Sequence, residues 1–177
     1  MTNKHILLGI TGGIAAYKAP LIVRQLKAQG ADVRCIMTHN ATNFVTELTL
    51  QTVSQNKVYV EPFETLGVWN PEHVALADWA DILLIAPATA NCIGKYAAGI
   101  ADDLLTTTLL AFDGTVVLAP AMNDKMYANP IVQRNLKSLS ELGVLIIEPS
   151  SGELACGANG KGRMSEPDEI VKYVISL

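Results

Sequence analysis

The chain has 177 residues, half of them hydrophobic, with 13 Lys and Arg against 17 Asp and Glu and a formal net charge of −4. That length and apolar content fit a single domain with one sizeable core and exclude a disordered chain. The small, interleaved charge offers no basic face to a run of phosphates, so no nucleic-acid partner is expected, and the longest apolar runs, such as ILLIAPA at 82–88, are too short to cross a bilayer.

In chain order, short β-type runs stand at HILLGI (5–10), DVRCIM (32–37), KVYVEPF (57–63), DILLIA (81–86), TVVLAP (115–120) and VLIIE (144–148). Helical patterns fill the gaps at about 14–29, 40–54, 90–98, 102–111, 129–142 and 166–176. Strands alternating with helices predict a parallel sheet. DILLIA and TVVLA are apolar at nearly every position and must be covered on both faces, so the expected architecture is a doubly wound three-layer α/β/α fold. Asn129 and Pro130 read as cap and first turn of one helix, which Gly143 ends. Ser165 with Asp168 reads as the cap of the last helix, and Asp102 and Asp103 read as capping residues rather than a catalytic carboxylate pair. Pro20 inside the first helical pattern is an irregularity. No repeat, low-complexity tract or long linker divides residues 1–177.

The N-terminal MTNKH followed by ILLGI lacks a signal-peptide pattern, and a cytoplasmic location is expected. Cys35, Cys92 and Cys156 are odd in number and far apart, with no spacing suited to zinc, so neither disulfides nor a metal site is expected. Cys35, in VRCIM, reads as a buried strand residue.

The first strand runs through Gly9-Ile10-Thr11-Gly12-Gly13-Ile14 into a helix, an arrangement that suits an anion. It departs from the dinucleotide fingerprint because Ile14 stands where a third glycine belongs, and the second strand ends Met37-Thr38-His39 without a ribose-binding carboxylate. Thr11, Thr38 and Thr89 offer neutral hydroxyls, which suit a phosphate and a polyol such as the ribityl chain of FMN. A plain strand-to-helix turn is the alternative. Ligands of open parallel sheets bind beyond the carboxyl ends of the strands, where APATANCIGK and PAMN place small residues together with Asn91 and Asn123. A second aperiodic stretch, GELACGANGKGRM at 152–164, holds one thiol and one guanidinium among loop-forming residues.

GITGGIAAYK (9–18), EHVALADWAD (72–81), APATANCIGKYAAGIADDLLTT (86–107), PAMNDKMY (120–127) and ELACGANGKGRMSEP (153–167) together resemble the flavin-dependent cysteine decarboxylases, flavoproteins that decarboxylate a C-terminal or pantothenoyl-linked cysteine. The resemblance spans essentially the whole chain. It implies a flavodoxin-like fold, non-covalent FMN, and assembly from homotrimers with flavin sites at subunit contacts. By position it implies that Gly12, Gly13 and Ile14 hold the FMN phosphate end with Thr38 nearby, and that Thr89, Ala90, Asn91, Cys92 and Ala121 line the flavin. His73 matches the active-site histidine, Asn123 the amide that binds the substrate carboxylate, and Cys156 the cysteine of the late protonation. The stretch at about 150–165 matches a clamp over the substrate, in which Glu153, Leu154, Ala155, Lys161 and Arg163 are candidate substrate contacts.

The implied activity is decarboxylation of 4′-phosphopantothenoylcysteine to 4′-phosphopantetheine in coenzyme A biosynthesis. Direct loss of CO2 would leave an undelocalised carbanion, so a temporary electron sink is needed. An imidazole suits proton transfer near neutral pH. A neutral amide holds a carboxylate without the strong charge fixation of an Arg. Two other readings stand beside this one: a peptidyl-cysteine oxidative decarboxylase of the lantibiotic type, which stops at the enethiol and does not need Cys156, and a non-catalytic FMN-binding regulatory relative. Trp79 and Met122, Met126 and Met164 read as packing.

Overall fold

In a computed structural model, which describes residues 3–60, 72–153 and 159–177, the chain builds a six-stranded, wholly parallel sheet from β1 (His5–Ile10), β2 (Asp32–Met37), β3 (Val58–Tyr59), β4 (Ile82–Ala88), β5 (Thr115–Pro120) and β6 (Leu145–Ile146). The strand order is β3-β2-β1-β4-β5-β6, so the winding reverses between β1 and β4. Every residue of β4 is buried, with Leu83, Leu84 and Ile85 fully so. Each such side chain contributes about 1.5–3 kcal/mol of burial, which is why this run takes the centre of the sheet.

Two apolar layers cover the sheet. One packs Ile6, Leu8, Ile10, Val33 and Leu84 under α1 (Ala19–Ala28), α2 (Glu47–Ser54) and α8 (Pro167–Ser176). The other packs Leu7, Ile36, Leu83 and Leu118 under α3 (Glu72–Trp79), α4 (Ala90–Ala97), α5 (Leu104–Ala111) and α7 (Pro130–Glu141). A short α6 (Asp124–Tyr127) follows β5. An antiparallel pair, β7 (Ser150–Glu153) with β8 (Asn159–Arg163), stands apart from the main sheet.

Local chemistry sets the boundaries. Asn129 accepts from the Ile131 N–H at 2.9 Å ahead of Pro130, and Gly143 follows α7 with φ of 92°. Asp103 and Thr106 form a reciprocal capping box on α5, while Asp102 pairs with Lys95 at 2.6 Å. The first helix differs from the single helix expected over 14–29. Residues Ile14–Lys18 form a 3-10 helix and the α-helix begins at Ala19, so Pro20 falls in its first turn, where a missing N–H costs nothing. Ser165 does not cap α8 as expected. Glu166 does, in a box with Glu169, and the Ser165 hydroxyl donates to the Glu148 carbonyl at 2.8 Å instead. Of the strand expected over 57–63, Val58 and Tyr59 pair with β2, and the stretch from 61 onward lies outside the described residues. Trp79 stacks on His5 at 4.8 Å with the Arg34 guanidinium 4.1 Å from its ring centre, so it does pack.

Candidate functional site

A cavity of about 970 Å³ opens at the carboxyl ends of β1, β2, β4 and β5, beside the reversal in strand order. This is where doubly wound folds place ligands. Its walls come from four turns and from the end of β8. The β1 turn and the 3-10 helix after it give Thr11 to Ala15, Tyr17 and Lys18, the β2 turn gives Thr38, His39 and Asn40, the β4 turn gives Thr89 to Cys92, and the β5 turn gives Ala121, Met122 and Asn123. Gly162, Arg163 and Met164 close a further side.

The turns are locked to one another by hydroxyl chemistry. Thr11, 2% exposed, donates to the Pro87 carbonyl at 2.7 Å and accepts from the Thr89 N–H at 3.1 Å. Thr89 in turn caps α4 by accepting from the Cys92 N–H at 3.4 Å. The turns after β1 and β4 are thereby fixed as one unit. Gly12 sits so close to the β2 turn that a Cβ would lie 2.4 Å from Asn40 Cβ, which no side chain could tolerate. The Gly13 N–H donates to Thr11 O at 2.9 Å and is thus spent within its own turn; what this glycine offers a ligand is close approach.

One buried side-chain oxygen in the wall has no protein partner. The Thr38 hydroxyl oxygen is buried and makes no hydrogen bond. An orphaned buried hydroxyl costs about 1–3 kcal/mol, and a ligand oxygen in the cavity would relieve it. Together with the glycine approach, the absence of a carboxylate at the end of β2 and a volume in the range of small-molecule sites, these walls fit a phosphorylated, polyhydroxylated cofactor such as FMN.

Asn123 lies at the cavity and also caps α6, its Oδ1 accepting from the Lys125 N–H at 2.9 Å. The same side chain carries an N–H₂ group, a donor type that suits a carboxylate. Cys92 is 3% exposed at the wall, and burial, with Asp103 adding and Lys95 opposing, pushes its thiol up to about 12. It therefore presents a neutral sulfur rather than a thiolate nucleophile.

Gly12, Gly13, Ile14, Thr38, Thr89, Ala90, Asn91, Cys92, Ala121, Asn123 and Arg163 all line this one cavity. His73 does not; it sits half-buried in the first turn of α3. Lys161 is also outside it, bound to Glu148 Oε2 at 2.6 Å with its ammonium 5.5 Å from the Tyr127 ring centre. Leu154, Ala155 and Cys156 lie outside the described residues, as does the side chain of Glu153. The sequence reading passed over Lys18, Lys95 and Thr106, which also line the wall. The signal for Lys18 was faint: a charged residue in an otherwise apolar IAAYKAP run.

A family model described as Flavoprotein matches residues 1–177. The coenzyme A biosynthesis bifunctional protein CoaBC of Bacillus subtilis (strain 168) is 51% identical over 172 residues, covering 97% of this chain and 42% of that protein. The chain thus spans less than half the length of the curated relatives it matches. Among solved structures, a Cys-to-Ser variant of PPC decarboxylase complexed with pantothenoylaminoethenethiol is similar with a TM-score of 0.88 and 34% identity, covering 99% of this chain and 98% of that one. The FMN-dependent cysteine decarboxylase SpaF is similar with a TM-score of 0.82 and 34% identity, covering 98% and 96%.

Proposed function

Because this chain belongs to the flavoprotein family, we propose that it binds FMN and decarboxylates 4′-phosphopantothenoylcysteine to 4′-phosphopantetheine, a carbon–carbon lyase step of coenzyme A biosynthesis. The observation that carries this reading is the single cavity that gathers a glycine approach, the orphaned Thr38 hydroxyl, the Asn123 amide and Arg163. Its support from outside the chain is the likeness to CoaBC and to PPC decarboxylase.

FMN, when bound, supplies a reversible two-electron sink for the carbon that bears the sulfur, which lets the carboxylate leave with its electrons accommodated. Gly12, Gly13, Ile14 and Thr38 receive its phosphate end, while Thr89, Ala90, Asn91, Cys92 and Ala121 form the wall along its ring. Asn123 donates N–H to the substrate carboxylate and orients it without a formal positive charge, so the reactant is not held more tightly than the transition state. His73 takes the thiol proton, and Cys156 returns a proton to carbon after CO2 has gone. Arg163 offers the phosphate of the substrate a bidentate donor. Arg163 is bound to Glu166 as Lys161 is to Glu148, and each keeps further N–H donors for that phosphate.

His73 is absent from the lining of its own chain's cavity, and Ile14, Tyr17 and Met126 at that cavity are 59%, 57% and 49% exposed. Both observations support a homotrimer, or an assembly of trimers, in which a second copy covers the cavity and delivers the imidazole. Among the described residues no helix is long and apolar enough to cross a membrane, and the proposed place of work is the cytoplasm.

The test is to record the visible spectrum of the purified protein and incubate it with 4′-phosphopantothenoylcysteine while following CO2 and products by mass spectrometry. A yellow protein that releases CO2 and forms 4′-phosphopantetheine is expected; Cys156→Ser is expected to release CO2 and accumulate the enethiol, and normal reduced product from that variant would overturn the role of Cys156. The likeness to SpaF makes a peptide ending in cysteine the proper competing substrate. Turnover of that peptide alone would replace the reading with peptidyl-cysteine decarboxylation.

A further inference from the structure

Lys18 is 5% exposed, touches the cavity, and has no part in the chemistry above. A lysine stem packs readily among apolar groups, but an ammonium taken out of water must be paired. Here Nζ donates to Glu166 Oε2 at 3.0 Å and reaches the Met164 carbonyl at 3.5 Å. Glu166 takes a second cation on its other oxygen, Arg163 Nη2 at 2.7 Å, while its backbone N–H is held by Glu169 at the start of α8. Lys18 is the last residue of the 3-10 helix that leaves the glycine turn. Arg163 and Met164, at the end of β8, form the wall assigned above to the substrate.

We propose that Lys18, Glu166 and Arg163 form a tether that couples the cofactor end of the cavity to its substrate end, with Lys18 and Glu166 as positioning residues. The tether holds the strand carrying Arg163 in register with the turn carrying Gly12 and Gly13, so that occupation of one end raises affinity at the other, and the effect is reciprocal. The pair suits this task because its lysine end is buried: removing Glu166 leaves the Lys18 ammonium without its carboxylate in a dry place, while Glu166 is half exposed and also holds Arg163. It also joins residues 148 positions apart, a link that no local element supplies. The inference rests on the proposed assignment of the two ends.

The test measures two quantities on the whole chain. FMN affinity is read by flavin fluorescence on titration into flavin-free protein, and KM and kcat for 4′-phosphopantothenoylcysteine are read at saturating FMN. Lys18→Met and Glu166→Gln are each expected to raise the FMN Kd and the KM about tenfold with kcat within about threefold, the size of an ordinary coupling between two sites acting on binding. The double variant is expected to be no worse than the poorer single one, because both remove the same interaction. Glu166→Asp should recover part of the loss. Ser165→Ala is the control: it deletes the neighbouring 2.8 Å bond to Glu148 O without touching Lys18, and should lower Tm while leaving the FMN Kd unchanged. An unchanged FMN Kd in both single variants, losses that multiply in the double, or an equal rise in Ser165→Ala would each overturn the tether. If the FMN Kd responds as expected but the unsubstituted protein releases no CO2, the tether stands and the substrate assignment falls.

Discussion

At the scale of single residues, the cavity is defined by what its walls lack as much as by what they present. Thr38 buries a hydroxyl with no partner, an energetic fault in a cavity holding only solvent and an asset in one holding a ligand oxygen. Thr38→Val keeps the shape and removes the polar atom, so opposite effects are expected in the two states. Flavin-free protein should melt at the same or a higher temperature, while the FMN Kd rises about fivefold to tenfold, the worth of about one neutral hydrogen bond. Calorimetry and fluorescence titration check the two halves. Cys35 and Cys92 make a second residue-scale case, because burial pushes both thiols up to about 12. Neither should react with iodoacetamide in the native protein at pH 8, and both should react once it is unfolded, as peptide mass mapping will report.

At the scale of elements, the β7–β8 pair is held to the body by two carboxylates. Glu148 binds Lys161 at 2.6 Å and accepts from the Tyr127 hydroxyl at 3.0 Å, and Glu166 binds Lys18 and Arg163. Close backbone approach completes the junction: the Met122 N–H donates to Gly162 O at 2.9 Å, and a Cβ on Gly162 would lie 2.4 Å from Met122 O. The Lys161 ammonium holds the Glu148 carboxyl below its ordinary range, and Lys18 does the same first of all for Glu166. Carboxyl groups depressed in the folded state add stability that is fully present above the ordinary glutamate value of 4.5 and is lost as pH falls through the depressed folded values. The junction should therefore loosen on acidification below about pH 4.5, not on a rise toward neutral. Hydrogen exchange of β8 amides across pH 6 to 3.5 measures this, and Glu148→Gln should flatten the profile.

At the scale of the whole molecule, the sheet order explains why one cavity collects residues from positions 11 to 164. β1 and β4 are neighbours although 71 residues separate the end of one from the start of the other, and reversal of winding between them opens the crevice that the turns enclose. The same arrangement leaves His73 away from its own cavity, which gives the proposed trimer a sharp consequence. His73→Ala and Asn123→Ala chains are each expected to be inactive alone. Unfolded together and refolded as mixed assemblies, they should recover about a quarter of normal activity, the random share of sites that draw an intact histidine from one copy and an intact amide from another. No recovery, in assemblies shown by mass spectrometry to be mixed, would place both groups in one chain's site.

The amino-acid sequence by itself determined the alternation of strands and helices except for α3 (Glu72–Trp79), which no helical pattern announced, and with it the two-sided burial of the sheet, the caps at Asn129 and Asp103, and the four turns that supply the cavity, because periodicity and capping are properties of neighbouring residues. Only the tertiary structure decided the rest. It split the first helical pattern at Ala19 and so accounted for Pro20, moved the last cap from Ser165 to Glu166, and separated Lys161 from the cavity by giving it Glu148. It also made Lys18 a buried cation, since its partner stands 148 residues away. The physical reason is common to these cases. An ion pair, a shared hydroxyl or an orphaned oxygen depends on which distant groups the sheet brings within about 3 Å, the reach of a hydrogen bond, and a one-dimensional pattern carries no information about that distance.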